Sequence, residues 1–333
     1  MKHFTIPIFI PELACPFQCI FCNQKKISGM QKVPSLAEIE SKIHLNLSTI
    51  PVGDSRIEIG FFGGNFTGIP LEEQENYLKS AFPFIKSGRI SGIRLSTRPD
   101  YINYEVLDLL KKYNVETIEI GAQSFDPEVL KLSGRGHKVD DTIKASEMIK
   151  EYNFKLGLQM MIGLPGDTLQ KSIYTAKKIS ELGADNTRIY PTLVIKDTNL
   201  EKFYRANKYI PLSLDEAVTR AKEVYKIFEE SGVRVIRMGL HPSEDLLSGS
   251  SLIAGPFHVS FKELVMTELW NEQVLDLTVN DSRCIEIYVP CKQLNYAAGY
   301  NAKNKIMLQS KFNSVKFKND LNLVRREYRV VYS

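Results

Sequence analysis

The sequence is poor in most features that assign a chain quickly. Its 333 residues hold one tryptophan, five cysteines and five histidines. No stretch approaches the roughly 18 consecutive apolar residues of a membrane helix, which excludes an integral membrane protein of that kind. The N-terminus, with Lys2, His3, Pro7 and Pro11, lacks a secretory-leader pattern, so a cytoplasmic protein is expected. Three of the five cysteines crowd into positions 15–22, an arrangement that suits metal ligation in a reducing compartment and not a disulfide framework. Nor is there a large charge excess, since the formal net charge is +4. Its distribution is uneven. Residues 301–333 carry eight lysines and arginines against Asp320 and Glu327, a local charge of +6 that leaves −2 for the rest. Such a segment suits either a polyanionic partner or a solvated helix face with a charged tail. With 43% hydrophobic residues the chain can bury one large core, or one core and a small appendage.

What is present starts with Cys15, Cys19 and Cys22, just past an apolar run at 4–10 that reads as a first strand. Spacings of three and two residues let one loop bring three thiolates to a common centre, which soft iron in an iron–sulfur cluster favours. A four-iron cluster held by three protein ligands leaves one iron open, and open positions on a metal are where chemistry happens. The competing reading is a structural zinc knuckle short of its fourth ligand.

Downstream, strand patterns at 56–62, 93–97, 117–121, 155–162, 187–193 and 233–238 alternate with helical stretches at 71–85, 105–113, 140–152 and 169–182. Ser35 with Glu38, and Ser213 with Glu216, have the spacing of capping boxes that open two further helices. Alternation of this kind specifies an α/β fold with a parallel sheet and helices outside. Periodicity alone leaves a barrel and a doubly wound sheet both open.

Cys-x-x-x-Cys-x-x-Cys with Phe21 before the last cysteine resembles the signature of the radical S-adenosylmethionine (SAM) superfamily. The resemblance implies a 4Fe-4S cluster on Cys15, Cys19 and Cys22, with SAM chelating the open iron. It also implies reductive cleavage of the sulfonium to start radical chemistry on a substrate. The fold it implies is an open partial (β/α)6-type TIM barrel over residues 1–240, functional groups at the C-terminal strand ends, then a linker and small α+β domain at 241–333. Further motifs carry the likeness. Gly63-Gly64-Asn65-Phe66-Thr67 resembles the glycine-rich segment that receives the SAM amino group. Ser96-Thr97-Arg98-Pro99-Asp100-Tyr101 is similar to a segment of Elongator-type radical SAM subunits, where a glutamate is usual at the place of Ser96. Gln123 and Arg135, twelve residues apart, resemble a SAM-holding pair of oxygen-independent coproporphyrinogen III oxidases. Leu164, in Gly-Leu-Pro-Gly-Asp-Thr, resembles a turn that packs on the adenine. Tyr190, in Ile-Tyr-Pro-Thr-Leu-Val-Ile, would face the cavity as a candidate catalytic hydrogen or hydrogen-bond donor.

In the C-terminal part, strands are expected at 274–279, 285–289 and 314–318, and a helix over 294–312. From Ile285 to Lys318 the pattern is similar to a KH RNA-binding unit, with Gly299-Tyr-Asn-Ala302 in place of its Gly-x-x-Gly loop. A generic α+β cap over the active site is the alternative. Cys284 and Cys291 read as small buried hydrophobes, and His137, His241 and His258 as bystanders. The resemblance implies SAM and an external electron donor of flavodoxin or ferredoxin type as partners, with RNA, tRNA in particular, as the candidate substrate. The rival readings are a porphyrin or small-metabolite oxidase, and a non-catalytic iron–sulfur or RNA-binding protein.

Overall fold

Side chains that alternate between apolar and polar set the strands of this protein, and parallel pairing sets their order. The computed structural model describes residues 2–10, 15, 19–28, 32–51, 53, 55–240, 242–278 and 284–332. The large sheet is built from β1 (Lys2–Phe9), β2 (Ser55–Phe62), β3 (Gly92–Thr97), β4 (Val115–Gln123), β5 (Lys155–Ile162) and β6 (Asn186–Pro191). After the two-residue β7 (Val194–Ile195), β8 (Arg234–Met238) extends the same sheet at its edge. The order is β1-β2-β3-β4-β5-β6-β8, and every pairing is parallel. Among the described residues β1 and β8 do not pair, so the barrel is open, yet both edges line one cavity. The six strand–helix units of the sequence pattern are thus completed by a seventh parallel strand.

On the outer face Ile6, Ile8, Ile59, Leu95, Ile118, Ile120, Leu158 and Met160 are buried against helices, including Leu36–Thr49, Leu71–Lys86 and Leu214–Ser231. Both predicted capping boxes form: Ser35 Oγ accepts from Glu38 N, and Ser213 Oγ from Glu216 N. Among the described residues no helix is long and apolar enough to cross a membrane.

Beyond the barrel, β9 (Leu252–Ala254) pairs antiparallel with β7. Leu246 and Phe257 from this connection pack with Ile27, just after the cysteines, so the segment lies across the side of the barrel mouth. β10 (Cys284–Pro290), β11 (Ser314–Asp320) and β12 (Arg329–Tyr332) then form a three-stranded sheet in the order β11-β10-β12. β10 runs parallel to β11 and antiparallel to β12. Its core gathers Trp270, Val274, Ile285, Ile287, Leu308 and Phe312.

Three expectations here need correction. The helix Phe261–Val274 runs through the start of the expected strand, and residues 275–278 form none, while Val279 lies outside the described residues. Tertiary packing overrides the β-branched run: Trp270 and Val274, four apart, continue the helix's buried face into the second core. The helix expected over 294–312 breaks into Leu294–Ala298 and Lys303–Gln309, because Gly299, Asn301 and Ala302 all take positive φ. Cys284 is half-buried and Cys291 exposed, the latter because it lies in the turn just past β10.

Candidate functional site

The C-terminal strand ends surround a cavity of about 1070 Å³, whose walls include Cys15, Cys19, Phe21, Cys22, Gly63, Gly64, Ser96, Gln123, Arg135 and Tyr190. The cysteine loop is tied down from two sides. Ile20 N donates to Ser133 O at 3.1 Å, and Leu200 N donates to Ile20 O at 2.7 Å. Cys19 and Phe21 are buried on an apolar bed of Val129, Leu164, Val194, Leu200 and Tyr209. Residues 11–14 and 16–18 of the loop lie outside the described residues. Among the described residues no three His, Cys, Asp or Glu side chains stand as a ready metal-binding group. The three thiols nevertheless share one wall of the cavity. Sulfur donors are the ligands soft iron selects. Arg135 Nη1 donates to Cys19 Sγ at 3.4 Å and so ties this sulfur to the end of β4. The donor set therefore fits an iron–sulfur cluster.

The β2 end explains its glycines separately. Gly63, at φ 120°, packs so closely on the Ile10 backbone that a Cβ would collide with it. At Gly64, φ 127°, a Cβ would meet nothing nearer than Gln24 Cγ at 4.0 Å. That leaves bare backbone facing the cavity, room that a polar ligand group can use. Gln24 Nε2 in turn reaches Cys22 Sγ at 3.6 Å.

At the end of β4, Arg135 Nη2 donates to Gly121 O at 2.8 Å. A Cβ on Gly121 would sit 2.8 Å from both Arg135 Nη2 and Gln123 Nε2, so only glycine lets both side chains cross the strand there. Gln123 itself has φ 64°, a strained conformation for a residue with a side chain, at a register shift between β4 and β5. Gln123 Oε1 and Arg135 Nε are buried with no hydrogen-bond partner among the described residues. Buried polar atoms without partners are costly, and a ligand carrying hydroxyl and carboxylate groups would satisfy them, as SAM does. The residues fit that ligand.

The remaining sequence-predicted residues sit behind the cavity wall. Asn65 Oδ1 accepts from Thr97 Oγ1 at 2.8 Å and from Arg98 N at 3.3 Å, and Thr67 Oγ1 meets Thr97 Oγ1 at 2.5 Å. Arg98, fully buried, forks onto Asp100 with bonds of 2.9 and 2.7 Å. Leu164 is part of the apolar bed under Cys19. These four brace the loops that the lining residues stand on. His137 is buried too, where desolvation and then the Arg135 and Arg98 cations lower its pKa to about 3.

Below this level is a floor that the sequence motifs do not announce. Arg94 donates to Glu58 and to Glu119, both at 2.6 Å. Arg188 donates to Glu119 at 2.5 and 3.0 Å and reaches Tyr190 Oη at 3.4 Å. Gln159 Nε2 gives Glu119 a further bond at 2.9 Å. Burial opposes the charge on Glu119, but Arg188 and Arg94 outweigh it and hold the carboxyl below its ordinary range. The signal for these residues was in the strands: a charge or amide at inward positions of otherwise apolar runs.

Comparison with known proteins gives a family match. The model described as the radical SAM superfamily matches residues 10–179, and that of the radical SAM C-terminal domain matches residues 184–271. The chain is 32% identical over 233 residues to an uncharacterised protein of Methanocaldococcus jannaschii, covering 66% of this chain and 70% of that one. It is 28% identical over 183 residues to the tRNA uridine(34) acetyltransferase of Methanocaldococcus infernus, covering 49% of this chain but 34% of that enzyme. Among solved structures, the archaeal Elp3 of Methanocaldococcus infernus with an N-terminal deletion superposes with a TM-score of 0.65 at 22% identity. That match covers 82% of this chain and 63% of that chain, and it is a likeness of fold.

Proposed function

The chain belongs to the radical SAM superfamily, and from that membership we propose that it starts radical chemistry on RNA, with tRNA the favoured substrate. The cofactors of such an enzyme are a 4Fe-4S cluster and SAM, which together supply a one-electron cleavage of the sulfonium. In this reading Cys15, Cys19 and Cys22 hold the cluster. Gly63 and Gly64 give the SAM amino group backbone to bind. Arg135 forks onto its carboxylate and Gln123 bonds its ribose. Phe21 and Leu164 supply apolar packing and Ser96, on the cavity wall, faces SAM, while Asn65, Thr67 and Arg98 keep the strand ends in place. Tyr190, its oxygen oriented by Arg188, faces the substrate as a hydrogen or hydrogen-bond donor. Residues 1–240 form the catalytic barrel, and residues 241–333 the linker and appended domain, in a cytoplasmic protein reduced by a flavodoxin or ferredoxin.

The observation that carries the reading is the meeting of three cysteines with the Gly121–Gln123–Arg135 group around one cavity. For the substrate, support comes from the relatives named for tRNA uridine acetylation and from the ionic floor. An uncharged apolar substrate would have to cover Glu58, Arg94, Gln159 and Arg188 at a desolvation cost. No acetyl transfer is carried over, since the match spans about a third of that relative's length. The appended domain has the β-α-α-β order of a KH unit, but Gly299 is buried against Thr267 and Asn304, so its backbone is turned to helix packing. RNA contact is therefore assigned to the barrel. Mass spectrometry of nucleosides from cellular tRNA, with and without the gene, tests the proposal. A modified nucleoside that disappears supports it; unchanged tRNA with an altered porphyrin or metabolite pool contradicts it.

A further inference from the structure

Charges alternate across the barrel floor, from Glu58 to Arg94 to Glu119 to Arg188, each bonded to the next. The next inward side chain, on β8, breaks the alternation: Arg237 stands in register with Arg188 and lines the same cavity. Arg188 already serves Glu119 and Tyr190. Among the described residues Arg237 has no carboxylate partner. Just past β8, Gly239 packs on the start of the helix Phe261–Val274, where an added Cβ would lie 2.9 Å from Phe261 Cβ. This close approach brings the neighbouring Lys262 to the same wall, half-buried, with Nζ 5.9 Å from the Tyr296 ring. Among the described residues neither Arg237 nor Lys262 forms an ion pair, whereas the cavity's Arg94, Arg188 and, through Asp197, Lys26 side all do. Two half-buried cations that line one cavity without a counterion among the described residues repel one another, and an anion held by both relieves that.

We propose that Arg237 and Lys262 form a subsite for a backbone phosphodiester of the RNA substrate, next to Tyr190. This rests on the RNA reading above. A guanidinium fork from a strand and a point ammonium from a helix approach from different directions, which suits the splayed oxygens of a tetrahedral phosphate. The subsite fixes the register of the strand, and the base beside it is then the one presented to the reacting centre.

Fluorescence anisotropy with a labelled ten-nucleotide single-stranded RNA, and with the same sequence on an uncharged methylphosphonate backbone, tests this on the full chain. The unaltered protein should prefer the charged backbone by roughly tenfold or more at moderate salt. Arg237→Gln combined with Lys262→Met should lose most of that preference, while Arg237→Lys, which keeps the charge, should retain the larger part. Circular dichroism and thermal melting establish that each variant is folded. If the folded double variant keeps the full preference, the subsite is wrong while RNA recognition stands. If the unaltered protein binds neither RNA, the substrate reading fails and takes the subsite with it.

Discussion

A methyl group at position 121 would sit 2.8 Å from both Arg135 Nη2 and Gln123 Nε2. Gly121→Ala should therefore displace the two side chains assigned to SAM without disturbing the core. SAM affinity is expected to fall by roughly tenfold, as for one charged hydrogen bond lost, with the melting temperature little changed. Equilibrium binding of SAM checks this, and unaltered affinity would contradict the role given to that pair. His137 makes a second residue-level prediction. Its folded pKa lies at about 3 against an ordinary 6.5, so the unfolded chain takes up a proton that the folded chain refuses. The stability is fully present above pH 6.5 and is lost as pH falls from there toward 3. Between pH 7.5 and 5.5 this group alone should remove about 1 kcal/mol, and His137→Gln should be less acid-sensitive by that amount. Urea denaturation at the two pH values measures it; equal slopes in both proteins would contradict the assignment.

At the scale of elements, the inward faces of β2 to β6 form a continuous ion network, and its centre is Glu119. Glu119→Gln would leave the Arg94 and Arg188 guanidiniums facing each other with no carboxylate between them, Glu58 being bonded to Arg94 from its other side. Breaking a buried pair from one side costs about 3–5 kcal/mol, and chemical denaturation of the variant should show a loss of that order. A loss near zero would mean that water already screens the floor. The elements also show what a sequence reader can and cannot see. Ser35 and Ser213 announce their helices because capping boxes are local hydrogen bonds between residues three apart. The end of the helix Phe261–Val274 is not legible in the sequence because the helix lies between two cores, with Val265 and Leu269 facing one and Trp270 and Val274 the other. Burial on two faces erases the helical period and leaves a β-branched residue to mislead.

For the whole molecule, the parallel order of the sheet was legible because each strand–helix unit repeats the same short, right-handed connection. The candidate site was legible wherever its residues lie at or just past the C-terminal end of a strand, as Gly63, Gly64, Gln123 and Tyr190 do. Glu58, Arg94, Glu119 and Arg188 were not, since a charge inside a strand has meaning only once the sheet curls and brings distant strands to one axis. Arg237 and Lys262 line one cavity because β8 extends the sheet at its edge and the helix Phe261–Val274 packs on Gly239. The central claim is that three thiols hold a cluster able to cleave SAM. Anaerobic reconstitution with iron and sulfide, followed by dithionite and SAM, tests it most directly. The account predicts close to four irons per chain and steady formation of 5′-deoxyadenosine, both abolished in Cys19→Ala. Zinc at the cysteines, or deoxyadenosine no higher than in that variant, would contradict it.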